Sequence, residues 1–258
     1  MKISAVIIAF NEEAKIGDAI RSVDWADEVL VVDSESTDRT KQIAEELGAT
    51  VITREWPGFS VQKQFGTDAG ENDWIFSLDC DERVSDELRQ EIIAIKEDAA
   101  GPRASGYRIP RLTYYMGRPI RHSGWYPDRQ LRLFDRGKGK WKDVLVHESV
   151  AMQPDAKVEK LNANILHYSI DSPAQHHEMI GKRYAPLAAR QMYESGRRTN
   201  ALKIAFAGPI AFASTYLLKA GFLDGMPGFS IARFASHHAF LKHILLRELQ
   251  NGGAPADR

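Results

Sequence analysis

The first eighty residues alternate short apolar runs with polar stretches of helical spacing. Ile3 to Phe10 is a β-branched run read as a first strand, and Asn11-Glu12-Glu13 opens a helix whose apolar positions Ile16, Ile20 and Val23 recur at three to four residues. Glu28 to Val32 predicts a second strand. The polar residues Asp33 to Asp38 then cap a helix from Arg39 to Leu47, which Gly48 terminates. Ala49 to Thr53 predicts a third strand, and a loop through Trp56-Pro57-Gly58-Phe59 leads to a helix carrying Gln62, Lys63 and Gln64. Trp74-Ile75-Phe76-Ser77-Leu78 follows, apolar enough to be buried on both faces, and runs into Asp79-Cys80-Asp81-Glu82. Strand and helix in alternation, with strands this apolar, predict an α/β fold around a mostly parallel, doubly wound sheet.

Beyond that point the pattern loosens. Gly106 to Tyr115 alternates aromatic and basic residues, as on a strand with one wet face, and Gly124 to Phe134 carries Trp125, Asp128 and Arg132. Val144-Leu145-Val146-His147-Glu148 and Ile165-Leu166-His167-Tyr168 read as two further strand ends. Ser172-Pro173 is a cap and first-turn proline for a helix that continues toward Gly196. Ile204 to Leu218 holds no charge, yet it is shorter than the roughly 20 residues of a bilayer span and contains Gly208-Pro209. It is expected to lie in a membrane interface or to pack as a buried helix. The last helix, near Phe229 to Leu249, sets Arg233, Lys242, His243 and Arg247 beside an apolar face. That combination suits an anionic lipid surface, with packing on the rest of the chain or on a dimer partner as the alternative.

Composition narrows the classes. Of 258 residues, 43% are apolar, enough for a sizeable core, and the net charge of −1 gives no whole-chain case for nucleic acid. The single cysteine makes no internal disulfide, as in a reducing compartment. No Gly-x-Gly-x-x-Gly follows the first strand and no Gly-x-x-x-x-Gly-Lys-Ser/Thr occurs, which disfavours nicotinamide Rossmann enzymes and P-loop NTPases. In parallel sheets ligands bind at the carboxyl ends of strands. Asn11 and Glu12, Asp33, and Asp79 with Asp81 all fall at such ends and converge on one edge. Asp79 and Asp81 flank a Cys80 that faces elsewhere, so both can turn to one hard divalent cation, Mg²⁺ or Mn²⁺, that grips a diphosphate.

Ala5 to Glu13, Val31 to Thr40 and Leu78 to Glu82 together resemble the family 2 glycosyltransferases of GT-A fold, above all the bacterial lipopolysaccharide-core glucosyltransferases. The resemblance covers most of the chain. It implies a catalytic domain over residues 1–170, while the residue pattern beyond predicts a helical, membrane-interfacial extension over 171–250 and a disordered tail over 251–258. It also implies inverting transfer of a hexose from a nucleotide-sugar such as UDP-glucose to a lipopolysaccharide-core or other anionic glycolipid. Ala9, Asn11, Glu12 and Asp33 would hold the nucleoside, and Asp79, Asp81 and a late histidine, His167, the metal. Lys63 reads as a solvated lysine, with a phosphate contact as the sharper alternative. Asp128, followed at +3 by Leu131, looks like the aspartate of the family's Glu-Asp-x-x-Leu segment, its usual base, with Pro127 in place of the glutamate. Glu148 is the rival base. Trp125 could stack on a sugar, and Arg108, Arg111, Arg118 and Arg121 could meet the acceptor. Two departures stand out: Ser34 replaces a second acid, and Glu35 stands where glycine is usual. The implied setting is the inner face of a bacterial cytoplasmic membrane, and a homo-oligomer is compatible. The rival functions are a sugar nucleotidyltransferase and a catalytically dead, membrane-bound carbohydrate-binding protein.

Overall fold

A computed structural model describes residues 1–142 and 148–252; residues 143–147, of which 144–147 are read above as part of a strand, and 253–258 of the tail lie outside it. The chain opens with β1 (Ile3–Ala9), α1 (Ile16–Arg21), β2 (Glu28–Asp33), α2 (Thr40–Glu46), β3 (Thr50–Thr53), α3 (Phe59–Ala69) and β4 (Trp74–Asp79). It continues with β5 (Glu82–Val84), α4 (Asp86–Glu97), β6 (Gly106–Tyr115), β7 (Arg118–Pro119), β8 (Asp128–Asp135), β9 (Gly139–Trp141), β10 (Val150–Met152), β11 (Val158–Lys160) and β12 (Ile165–His167). The principal helices of the remainder are α5 (Pro173–Met179), α6 (Ala185–Glu194), α7 (Ala201–Ala213) and α8 (Gly225–Gln250).

Two compact units result: Met1–Leu112 with Asp128–His167, and Thr113–Pro127 with Tyr168 onward. In the first, the strands order as β3-β2-β1-β4-β8-β6-β12-β5, with β11 beside β6. The run β3, β2, β1, β4 is parallel; β8 then joins antiparallel to β4, and β6 antiparallel to β8. The α/β, mostly parallel reading therefore holds for the leading half of the sheet.

All seven residues of β1 are buried. Ile3, Ala5 and Ile7 enter a core with Ile16 and Ile20 of α1 and Leu88 and Ile92 of α4. Val6 and Ile8 point the other way, into a second core with Leu30, Val32 and Phe134. Helices cover both faces, which is why the strand tolerates no polar alternation. On the second face α3 lies so close that a Cβ on Gly66 would stand 2.4 Å from the Val6 Cγ1, so a side chain there would push the helix off the sheet. The wet face expected along β6 is reduced to Arg108, with Arg111 and Tyr114 half-buried. Tyr107 and Ile109 are buried in the same core as Leu88, Ile92 and Ile165, and Leu112 is buried too.

The second unit is helical. Ser172 caps α5, its hydroxyl accepting from the Gln175 N–H at 3.1 Å, and the helix runs on through one π-helical turn into α6. Likewise α7 continues as a π-helical turn to Leu218, keeping Pro209 inside it. Only 11% of Ala201–Leu218 is buried, which removes the buried-helix alternative for this stretch. Asp224 clamps the loop ahead of Trp125, accepting from the Arg121 and His122 N–H groups and the Ser123 hydroxyl at 3.0–3.1 Å.

A small core of Tyr115, Ile120 and Ile231 sits beside His176, whose ring lies 4.4 Å from that of Phe234. Burial pulls the His176 pKa down from the ordinary 6.5 to about 4. A histidine held neutral in the fold stabilises fully above its unfolded pKa, near 6.5, and that contribution is lost as pH falls toward 4. Chemical denaturation at pH 7 and pH 4.5 is therefore expected to show a smaller acid loss for His176→Phe than for wild type. The difference approaches about 3 kcal/mol at the acid end, from 1.36 kcal/mol per pH unit.

Candidate active site

The sheet sets the site by register. Ala9 pairs with Asp33 across β1 and β2, and Ile8 pairs with Asp79 across β1 and β4. With strands about 4.8 Å apart, the two aspartates flank the carboxyl end of β1 with Cα atoms about 10 Å apart. The loop after β1 is stitched to the loop after β2. The Asn11 N–H donates to Ser36 Oγ at 2.9 Å, the Asn11 side-chain oxygen accepts from the Thr37 N–H at 2.8 Å, and the Glu12 N–H donates to Thr40 Oγ1 at 2.7 Å. These bonds hold Asn11 at φ +52° and delay α1 to Ile16, so the helix expected to open at Asn11 begins later. Glu35 has φ +61°, a left-handed conformation that glycine adopts without cost, and this is the physical sense of the family's glycine there.

Asp33 is buried. Its Oδ2 accepts from the Ser36 N–H at 3.1 Å, but its Oδ1 has no donor among the described residues. Gln62 on α3 donates to the Ser34 hydroxyl at 3.1 Å, and its own buried side-chain oxygen is also without a donor. Two acceptors shut away from water without partners are costly unless a ligand brings N–H or O–H groups.

Beside them runs a ladder of alternating charge. Arg111 grips Asp128 through Nε at 2.9 Å and through a second nitrogen, and reaches Glu82 at 3.2 Å. Arg132 joins Glu82 to Asp79, the latter at 2.8 Å. Lys63 joins Asp79, at 2.9 Å, to Glu148, at 3.4 Å. The Glu82 carboxylate also accepts from the Asp79 N–H at 3.0 Å, closing the turn between β4 and β5. Lys63 is buried over the Trp141 ring, so the solvated reading of this lysine is wrong. Burial raises the Asp79 pKa, but Arg132 and Lys63 outweigh it and hold the carboxyl well below its usual range. Asp128 follows the same pattern: burial pushes it up, and Arg111 and Gln130 bring it below the ordinary value.

Asp81 takes another direction. Its carboxylate lies 3.4 Å from His167 Nε2, bringing together the β4–β5 turn and the end of β12. Cys80 between the two aspartates turns inward, its Sγ 3.1 Å from the Ile8 carbonyl oxygen, and burial pushes its thiol well up. Among the described residues no three His, Cys, Asp or Glu side chains are gathered as a ready-made metal cage. Yet Asp81 and His167 offer a carboxylate oxygen and an imidazole nitrogen side by side, a donor set that suits Mg²⁺ or Mn²⁺ completed by waters and phosphate oxygens. The surrounding charge suits it too. Asp33, Asp79, Asp81, Glu82, Asp128 and Glu148 outnumber Lys63, Arg111 and Arg132 by three.

Residues 4–153, which contain all of these side chains except His167, match the family model for glycosyl transferase family 2. The chain belongs to that family. It is 32% identical to the lipopolysaccharide core biosynthesis glycosyltransferase LpsC of Rhizobium meliloti, covering 93% of this chain and 90% of the relative. It is 34% identical to an uncharacterised glycosyltransferase of Rickettsia bellii, covering 100% and 90% respectively. Among solved structures, S. aureus TarS in complex with UDP-GlcNAc is 14% identical over 98% of this chain and 93% of that one, with a TM-score of 0.47.

In this family 2 transferase the sequence reading passed over Glu82 and Arg132, the centre of the charge ladder. Their signals were present. In Asp128-Arg129-Gln130-Leu131-Arg132, strand alternation puts Asp128, Gln130 and Arg132 on one face, and β6 sets Arg111 directly opposite Asp128.

Proposed function

We propose that this family 2 glycosyltransferase is inverting and metal-dependent, and moves a hexose from a uridine diphosphate sugar to a lipopolysaccharide-core or similar anionic glycolipid. The observation that carries this reading is the pair of buried acceptors, Asp33 Oδ1 and Gln62 Oε1, at the carboxyl edge of the parallel sheet. Uracil presents an N–H between two carbonyls and fits such a site, with Ala9, Asn11 and Glu12 lining the approach to the nucleoside. Asp81 and His167 would hold Mg²⁺ or Mn²⁺, which when bound neutralises the leaving diphosphate, while Asp79 stays engaged by Lys63 and Arg132 beside them. Lys63 adds positive charge from the helix side.

Asp128 is the proposed base. Inversion needs a carboxylate to take the proton of the acceptor hydroxyl while that oxygen attacks the anomeric carbon. Arg111 keeps Asp128 ionised and fixes its orientation, at the cost of basicity. Asp128→Asn is expected to lower kcat by about 10² to 10⁴. Because the Asp128 pKa is depressed, the acid limb of kcat/KM in wild type falls below the ordinary carboxylate value near 4. Glu148→Gln, whose carboxylate faces Lys63, is expected to cost less; the reverse order would move the role to Glu148.

The acceptor class follows the LpsC relative, and with it the cytoplasmic side of the membrane, where Arg108, Arg118 and Arg121 would meet anionic groups. A panel of nucleotide-sugars screened by thermal shift with Mn²⁺ tests the donor, since a ligand that binds only the folded state raises Tm. Uridine sugars should give the largest shift; a preference for another nucleotide would overturn the uridine assignment.

A further inference from the structure

We propose that the groove between α7 and α8 seats an anionic phospholipid of the bilayer, its phosphate on a basic wall and an acyl chain on an apolar one. This deepens the membrane-facing part of the reading above and rests on it, while using none of the residues assigned to catalysis.

The apolar wall is a stripe along α7. Leu202, Phe206 and Ile210, spaced at four residues on one helix face, are 68%, 56% and 65% exposed. With Met192 they line an open groove of about 710 Å³. Its polar lining is Arg197, Arg198, Lys203, Lys242 and His243. From Ser195 to Leu223 the chain has no Asp or Glu, while Arg197, Arg198, Lys203 and Lys219 fall within that stretch. Glu194, just before it, is held by Arg190 at 3.0 Å, and Arg198 and Lys203 donate to backbone carbonyls rather than to acids. Burial, then Lys242 and Lys203, pull the His243 pKa below its usual value.

Lipid is the occupant that answers both walls. A free phosphate would satisfy the cations and leave the stripe in water. A second copy docked face to face would set one basic wall against another. Ala201–Leu218, 18 residues with a mean hydropathy of 1.5, is long and apolar enough for a span by length and composition alone, but it carries Lys203 near one end and Pro209 in the middle and its cations line the same groove as its apolar stripe. With its cations gathered near one end, the helix can set them among the headgroups and its exposed apolar residues among the acyl chains. The apolar surface continues past α7 through Leu218, Leu223 and Met226, at 84%, 58% and 66% exposure.

The test is sedimentation of the full chain with vesicles of phosphatidylcholine alone or mixed with phosphatidylglycerol, with inorganic phosphate as a competitor. Wild type should pellet with the mixed vesicles, weakly with phosphatidylcholine, and inorganic phosphate should displace it no better than equal ionic strength of chloride. R197E/R198E, at two exposed positions, should lose at least about tenfold in apparent affinity while its circular dichroism and its donor-sugar hydrolysis in vesicle-free buffer stay unchanged. Cys80 is the chain's one cysteine and is buried, so Ile210→Cys gives a single accessible site for a spin label. That label should move to acyl-chain depth on anionic vesicles. Three results would overturn the proposal: no preference for anionic vesicles, a label that stays in water, or a solution dimer that Phe206→Glu dissolves. A failed transfer assay with intact vesicle binding would count against the transferase reading alone.

Discussion

Asp81→Asn is expected to abolish sugar transfer, lowering kcat by at least about 10³, while the fold persists. Asp81 sits in the turn after β4, partly exposed, and its carboxylate faces His167. Removing one such charge leaves no buried ion unpaired, so stability should change by less than about 1 kcal/mol. The catalytic cost is large because a divalent ion at a leaving diphosphate supplies several kcal/mol of transition-state stabilisation, each 1.36 kcal/mol being tenfold in rate. Steady-state kinetics at saturating Mn²⁺ beside a urea melt separates the two effects. Turnover within tenfold of wild type would remove Asp81 from the metal site.

Arg132→Met is expected to act in the opposite way, on the fold first. Arg132 is buried, with Asp79 on one side and Glu82 on the other, and Glu82 is fully buried. Burial works against the arginine's charge, but the two carboxylates outweigh it and raise its pKa. Deleting it leaves Asp79 with Lys63 alone and buried Glu82 with Arg111 alone; removing one partner from a buried ion network typically costs about 3–5 kcal/mol, a large share of the 5–15 kcal/mol that a domain has. The pair is not the source of stability so much as a demand that must be met. The triple variant Asp79→Asn/Glu82→Gln/Arg132→Met should therefore recover a good part of the loss, because no uncompensated ion remains. If Arg132→Met melts like wild type, the ladder is not a mutually dependent network.

How much of this was legible in the sequence follows from which interactions are local. The apolar runs of β1, β2 and β4 are visible because both faces of those strands are covered, so burial is written into every residue. The edge that gathers Asp33 and Asp79 follows from the same runs, since parallel strands align their carboxyl ends. The Ser172 cap was readable for a similar reason, one side chain serving a backbone N–H three residues away. Lys63 misled because an isolated lysine on a helix with few apolar residues looks solvated. Its burial depends on Trp141 and on Asp79, far along the chain. The start of α1 was misplaced for a comparable reason: Asn11 and Glu12 spend their hydrogen bonds on residues 36–40 rather than on a helix. Asp79 and Asp81 were expected to face one point, yet Arg132 and Lys63 draw the first while His167 meets the second.

The central claim is that acids at the carboxyl ends of β2 and β4, with His167, bind a nucleoside diphosphate through a divalent cation. Isothermal titration of UDP into the protein, with Mn²⁺ and with chelator, tests it most directly, using Asp81→Asn and Asp33→Asn alongside. The account predicts that Mn²⁺ tightens UDP binding to wild type by at least about tenfold, that Asp81→Asn loses this dependence, and that Asp33→Asn weakens UDP with or without metal. Wild-type affinity that is the same in Mn²⁺ and in chelator would contradict it.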